Sequence, residues 1–344
     1  MVMPNAEQPH QRKRAELSGS GGKPLANANS GESALPTWPS YLALHQSGEL
    51  ARRALRAWKR LRRCVLCPRR CRADRLNGEL GICGVGALAQ VASYGPHYGE
   101  EAPLVGTGGS GTIFFAGCNL TCVFCQNHDI SQPPIASSAR ARLWEKSAAQ
   151  LAGIMLELQS LGCENINLVS PSHVVPQILA ALDLAAAEGL RLPLVYNTGG
   201  YDSLATLRLL DGVIDIYMPD MKYANEAVGA RLSGVADYVR RNRAAVREMY
   251  RQVGDLFLDQ RGVARRGLLV RHLVLPEGLA GTAHVMRFIA TEISIQTYIN
   301  VMDQYRPMHK AYLHPEIARP LSRQEYVDAI SETLACGLRR LDRG

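Results

Sequence analysis

From Thr112 onward the chain alternates between two patterns. Six short apolar runs are separated by segments of helical periodicity: TIFFAG (112–117), NINLVS (165–170), LPLVYN (192–197), VIDIYM (213–218), GLLVRHLVL (267–275) and TYINVM (297–302). The runs are continuous rather than alternating, which predicts strands buried on both faces and hence a parallel sheet covered by helices. Helices are expected over 144–161, 174–188, 202–210, 225–253 and 282–292, with a last one over about 322–337. Gly162 and Gly189 stand where left-handed C-caps are expected. Six β/α units of this kind form an open barrel or a doubly wound sheet. In both, the reactive face lies at the C-terminal strand ends. There the chain carries the turns SPSH (170–173), NTGG (197–200), PDMK (219–222) and DQYRPMH (303–309).

The turn after the first run is GCNLTCVFCQN, which holds Cys118, Cys122 and Cys125 in C-x3-C-x2-C spacing. A lone cysteine in a core is a small apolar group, but three on one loop point to a metal. Structural zinc and ordinary iron–sulfur clusters take four protein ligands. A triad leaves one position open, and an open position can bind substrate. Phe124, between the last two cysteines, would shield such a centre.

A second group, Cys64, Cys67, Cys71 and Cys83, is complete with four, in C-x2-C-x3-C-x11-C spacing. It reads equally as a zinc knuckle or as an auxiliary iron–sulfur cluster. Cys163 and Cys336 are isolated and are assigned to packing. GTGGSG (106–111) matches a dinucleotide fingerprint, but a strand follows the glycines where a helix is needed, so it reads as a flexible turn.

Ahead of the alternating region, residues 1–40 are polar and are expected to form a disordered tail, and 41–105 a helix followed by the Cys-rich segment, after which VASYGPHYGEEAPLVGTGGSG (91–111) reads as a loop-rich stretch with a short strand. Leu50, Ala54, Leu55, Trp58 and Leu61 predict an amphipathic helix over 47–62. The third region, 106–344, carries the β/α units. Net charge is +8, and Ala51 to Arg75 alone holds eleven Arg or Lys against one acid. That segment reads first as a solvated Arg-rich face and second as a contact surface for an acidic protein or nucleic acid. No aromatic platform accompanies it, so a nucleic-acid partner is not expected. No membrane span and no secretion signal is read, which places the chain in the cytoplasm, where its nine cysteines serve as metal ligands rather than disulfides.

The string SGTIFFAGCNLTCVFCQNHDIS (110–131), with an aromatic before the last cysteine at the end of a first β/α strand, resembles the radical S-adenosylmethionine superfamily. It is most similar to the branch of pyruvate formate-lyase activating enzyme, and CVLCPRRC (64–71) followed by GICG (81–84) resembles one subgroup of it. The resemblance covers roughly residues 60–340 and implies a partial (β/α)6 barrel with a small N-terminal Cys-rich subdomain. It implies that Cys118, Cys122 and Cys125 hold three irons of a 4Fe–4S cluster, while S-adenosylmethionine chelates the fourth. It places the cofactor among Phe124, Ser172, Asn197, Asp220, Lys222, Arg271 and His309, with Lys222 on its carboxylate and His309 near the adenine. The family's glutamate after the second strand is absent, and Ser170 to His173 stand there instead. The function implied is radical hydrogen abstraction, in its best-defined form activation of a glycyl-radical enzyme. It would need a flavodoxin- or ferredoxin-like electron donor and a protein substrate. The alternatives are a radical enzyme on another protein or small molecule, and a non-catalytic iron–sulfur or zinc protein that carries electrons or binds nucleic acid.

Overall fold

A computed structural model of the chain describes residues 38–132 and 143–342. The tail expected over 1–40 thus lies, up to residue 37, outside the described residues. Trp38 and Ser40 are tied to the sheet: Trp38 Nε1 donates to the Arg265 carbonyl at 3.1 Å, and Ser40 Oγ donates to Asp215 Oδ1 at 2.8 Å.

The strands are β1 (Ala89–His97), β2 (Ser110–Phe115), β3 (Glu145–Lys146), β4 (Ile166–Val169), β5 (Leu194–Thr198), β6 (Ile216–Pro219), β7 (Phe257–Leu258), β8 (Ala264–Leu273) and β9 (Tyr298–Met302). The fold is mixed α/β around a mostly parallel, open sheet. β2, β4, β5, β6, β8 and β9 run parallel in that spatial order, which is also their order along the chain. β1 lies antiparallel on β2, β3 on β1, and β7 on β8. All six apolar runs are therefore strands of the parallel series. Their central residues, such as Ile166, Leu168, Leu194, Ile216 and Leu268, are wholly buried, which is why they read as unbroken apolar stretches.

The helices form where capping signals allow. Ser147 and Gln150 make a reciprocal capping box at the start of helix Ala148–Ser160, and Pro176 lies in the first turn of helix Val175–Ala187. Leu151, Met155, Leu158, Ile178, Leu179 and Leu182 pack these helices against the sheet, each side chain contributing about 1.5–3 kcal/mol of apolar burial. Helix Glu49–Lys59 packs on Val175–Ala187, so the Cys-rich segment belongs to the same compact unit as the sheet.

Four local expectations change. The stripe buried by helix Glu49–Lys59 and the turn after it is Leu50, Ala54, Ala57 and Leu61, whereas Leu55 is 57% exposed; a step of three or four residues returns to the same face, and Leu55 lies one step off it. The single helix expected over 225–253 is two, Glu226–Ser233 and Tyr238–Val253, because Gly234 takes a left-handed conformation (φ +67°) and ends the first. GTGGSG is a packed turn rather than a flexible one: a side chain on Gly108 would collide with the Gly162 carbonyl. The short strand expected before it is the nine-residue β1, half of which faces solvent.

Candidate functional site

The cysteine loop leaves the C-terminal end of β2 through Gly117, whose φ is +78°. A Cβ there would stand 2.5 Å from the Cys83 carbonyl oxygen, so only glycine lets the loop pass the N-terminal segment. The loop is then clamped on both sides. The Thr121 and Val123 amides donate to the carbonyls of Ser233 and Leu232, at the end of the helix that Gly234 terminates, and the Lys310 amide donates to the Val123 carbonyl.

Each sulfur has a polar neighbour. The Leu120 amide donates to Cys118 Sγ at 3.4 Å, Cys122 Sγ lies 2.9 Å from Ser233 Oγ, and Cys125 Sγ lies 3.1 Å from Ser131 Oγ. Burial pushes the Cys118 thiol up to about 12 and raises Cys122 as well, with Lys222 opposing. Phe124 is buried beneath the loop, edge-on to Tyr305 at 5.9 Å between ring centroids.

All three cysteines border one cavity of about 230 Å³, together with Ser170, Asn197, Thr198, Asp220, Lys222 and Arg271. These residues come from the C-terminal ends of β4, β5 and β6 and from within β8, where the parallel sheet concentrates polar turns. Asp220 is the hub. Lys222 Nζ donates to its Oδ2 at 2.6 Å and Arg271 Nε to its Oδ1 at 2.9 Å, while Arg271 Nη2 donates to Asn197 Oδ1 at 2.7 Å. Burial opposes ionisation of Asp220, but Arg271 and Lys222 together outweigh it and hold its pKa below the ordinary carboxylate value. Burial likewise opposes charge on Lys222, and Asp220 reverses this and raises its pKa. Asp220 is shared between two cations, and Glu101 also reaches Arg271, at 3.9 Å, so Lys222 is the cation with the fewest anionic partners.

A second layer fixes these strand ends. The Tyr238 hydroxyl donates toward the carbonyls of Gly199 and Asp220, at 2.8 and 3.1 Å, and Asn242 Nδ2 donates to those of Gly200 and Asp220. Thr198 Oγ1 donates to the buried Asp202 carboxylate at 2.7 Å.

Two of the residues proposed from sequence stand elsewhere. Ser172 is buried with its hydroxyl 3.1 Å from Thr198 Oγ1, and its neighbour Ser170, in a left-handed conformation, lines the cavity in its place. His309 stacks on His128 at 5.0 Å between centroids and does not line the cavity.

The adjoining space was not read from sequence. A cavity of about 640 Å³ shares Asn127, Asn197, Arg271, Met302 and Gln304 with the first. Glu100, Glu101, Asp303 and Asp342 line the larger cavity as well. Glu101 Oε1 lies 3.9 Å from Arg271 Nε and accepts from Asn300 Nδ2 at 3.0 Å. Glu100 is held above the ordinary carboxylate range by burial, against the pull of Arg271. A pair of glutamates in a loop gives no sign in sequence that both will face a cavity.

The four N-terminal cysteines border a separate, small space with Arg75, Asn119 and His173. Among the described residues, no three His, Cys, Asp or Glu side chains converge as the ligands of one ion would. Cys163 is buried in the core and Cys336 packs against it. No described helix is long and apolar enough to cross a membrane. Several arginines of the basic segment tie the fold together rather than face solvent: Arg53 Nη1 donates to the Leu209 carbonyl, Arg69 Nε to that of Asn119, and Arg75 is wholly buried.

No protein-family model matches the chain. Uncharacterized protein MJ0674 of Methanocaldococcus jannaschii is 31% identical over 271 residues, which span 78% of this chain and 73% of the archaeal protein.

Proposed function

The chain belongs to the family of that Methanocaldococcus jannaschii protein, and for this chain we propose the activity of a radical S-adenosylmethionine enzyme on a partial (β/α)6 barrel. One observation carries the reading. Three thiols from a single eight-residue loop border the same cavity as the Lys222–Asp220–Arg271 group, at the C-terminal side of parallel strands. The donor set fits a 4Fe–4S cluster: soft thiolates suit iron, and three rather than four leave one iron for an outside ligand. When bound and reduced, the cluster with S-adenosylmethionine supplies a 5′-deoxyadenosyl radical that takes hydrogen from a substrate.

The chain's own residues would do the rest. Cys118, Cys122 and Cys125 hold the cluster, with the Leu120 amide beside the first sulfur and the Ser233 and Ser131 hydroxyls beside the second and third. Lys222, kept charged by Asp220, pairs with the cofactor carboxylate. Arg271 and Asn197 form the wall between the cofactor cavity and the larger one, which is the space for substrate. Phe124 and Tyr305 close the floor and keep water from the cluster.

In its best-defined form the substrate is a glycine-bearing loop of a partner protein, reached with one electron from a flavodoxin- or ferredoxin-like donor. Another protein or a small molecule is the second form, and the cavity of about 640 Å³ is of a size that suits the latter. The deciding experiment is anaerobic: reconstitute with iron and sulfide, reduce, add S-adenosylmethionine and assay 5′-deoxyadenosine. Product that disappears in Cys118→Ala, Cys122→Ala or Cys125→Ala supports the reading. No product, together with a cluster EPR signal that ignores S-adenosylmethionine, sinks it.

A further inference from the structure

Cys64, Cys67, Cys71 and Cys83 all line one space of about 10 Å³, closed by Arg75, Asn119 and His173, although their sulfurs are not drawn in to the spacing of ligands on one ion. The backbone around them is folded into tight turns: the Arg70 amide donates to the Cys67 carbonyl at 3.1 Å, the Arg72 amide to the Cys64 carbonyl at 2.9 Å and the Gly81 amide to the Val85 carbonyl at 3.2 Å. A Cβ on Gly81 would stand 3.0 Å from Cys83 Sγ and 3.6 Å from Cys71 Sγ, so a glycine there leaves room for both sulfurs.

Arg75 is the second, independent observation. Its side chain is 0% exposed. Nε donates to the Gly86 carbonyl at 2.8 Å, Nη1 to the His173 carbonyl at 2.8 Å, and Nη1 also lies 3.9 Å from Cys64 Sγ. Nη2 has no hydrogen-bond partner among the described residues. None of these contacts is to a carboxylate. A guanidinium taken fully out of water needs a counter-charge, and the groups that share its space and can carry one are the four thiols. A tetrathiolate zinc or iron–sulfur centre is a net anion and would supply it.

The same frame meets the other cysteine loop at its root. His173 is neutral, since burial and then Arg75 push it down to about 4, so its Nε2–H donates to the Ala116 carbonyl at 2.9 Å. The Cys83 carbonyl closes on Gly117, and Arg69 Nε donates to the Asn119 carbonyl at 2.8 Å. Residues 116–119 are thus held from the N-terminal segment.

We propose that Cys64, Cys67, Cys71 and Cys83 hold a tetrathiolate metal centre, with Arg75 as its counter-charge, and that this centre fixes the start of the Cys118 loop. It does not rest on the radical reading. The test uses the full chain with Cys118, Cys122 and Cys125 all changed to Ala, purified anaerobically and assayed for zinc, iron and acid-labile sulfide. Retained metal is expected, and its identity separates the two sources: zinc alone, or iron with matching sulfide. Adding C64S and C83S should remove it. A triple variant without metal, or one whose metal survives C64S and C83S, overturns the centre.

Positioning has its own readout. In otherwise native protein, C83S should speed amide exchange at 116–119 at least tenfold, and unchanged exchange overturns the positioning role. Should C83S fail to fold, Arg75→Met keeps all four thiols. It should give up metal to a chelator about tenfold faster than the native chain, and an equal rate overturns the part given to Arg75.

Discussion

Replacing Asp220 with Asn isolates the charge group at the centre of the site. The carboxylate touches Lys222 Nζ at 2.6 Å and Arg271 Nε at 2.9 Å, and all three side chains are less than 20% exposed. Asn keeps the shape and removes the anion. Lys222 then loses its carboxylate partner in a poorly hydrated place, and Arg271 keeps only Asn197 and the more distant Glu101. Breaking a buried pair costs about 3–5 kcal/mol, and the remaining exposure favours the lower end. The assay is urea unfolding at pH 7, followed by fluorescence of the three tryptophans. The second change, Lys222→Met, removes the stranded cation. The double variant D220N/K222M should therefore be more stable than D220N alone, a coupling of about 1–3 kcal/mol in a double-mutant cycle. The pH dependence has a definite sign. Because the folded pKa of Asp220 is depressed, its contribution is complete above the unfolded value of about 4 and is lost as pH falls below that. The gap between native protein and D220N should accordingly narrow below pH of about 4. A D220N chain within 1 kcal/mol of native at pH 7, on the scale of an ordinary surface change, would refute the account of this group as a mutually dependent ion cluster.

Lys222→Met alone should leave stability nearly intact, because Asp220 keeps Arg271, yet weaken S-adenosylmethionine binding to the reconstituted protein by roughly 10–100-fold, the worth of one charge-assisted hydrogen bond. Calorimetric titration giving an affinity within threefold of native would remove Lys222 from the cofactor contact. His173 and His272 are each lowered by burial from the ordinary 6.5 to about 4. Stability should be full above pH of about 6.5 and fall as pH drops toward 4, each histidine accounting for about 2 kcal/mol at pH 5. A urea midpoint that stays flat between pH 7 and pH 5 contradicts this.

The parallel strands were legible because burial on both faces keeps them mostly apolar, as in Leu268, Leu269 and Val270 of β8, all wholly buried. β1 was not legible at its true length: its second half alternates toward solvent and contains Gly95 and Pro96, which read as a loop. The triad and the polar turns gave away the site because their chemistry sits in short, local strings. The choice between Ser170 and Ser172 did not, since it depends on the left-handed backbone at Ser170 that turns the neighbouring hydroxyl toward Thr198. Arg75 was hidden for another reason. In a run of eleven basic residues, nothing local marks the one whose side chain goes inward.

The sheet is open, and the larger cavity lies along its seam. Phe114 of β2 and Asn300, Val301 and Met302 of β9 line it, and His97 at the end of β1 with Gly99, Glu100 and Glu101 just past it complete the wall. None of these segments carries a cysteine. The part of the chain that would generate reactivity and the part that would choose its target are therefore encoded separately. Changes to the loop after β1 and the end of β9 would redraw the seam without altering a cysteine, and would reach the Asp220 group only through Glu101, 3.9 Å from Arg271. A swap of residues 97–101 and 300–304 between relatives would transfer selectivity as a cassette.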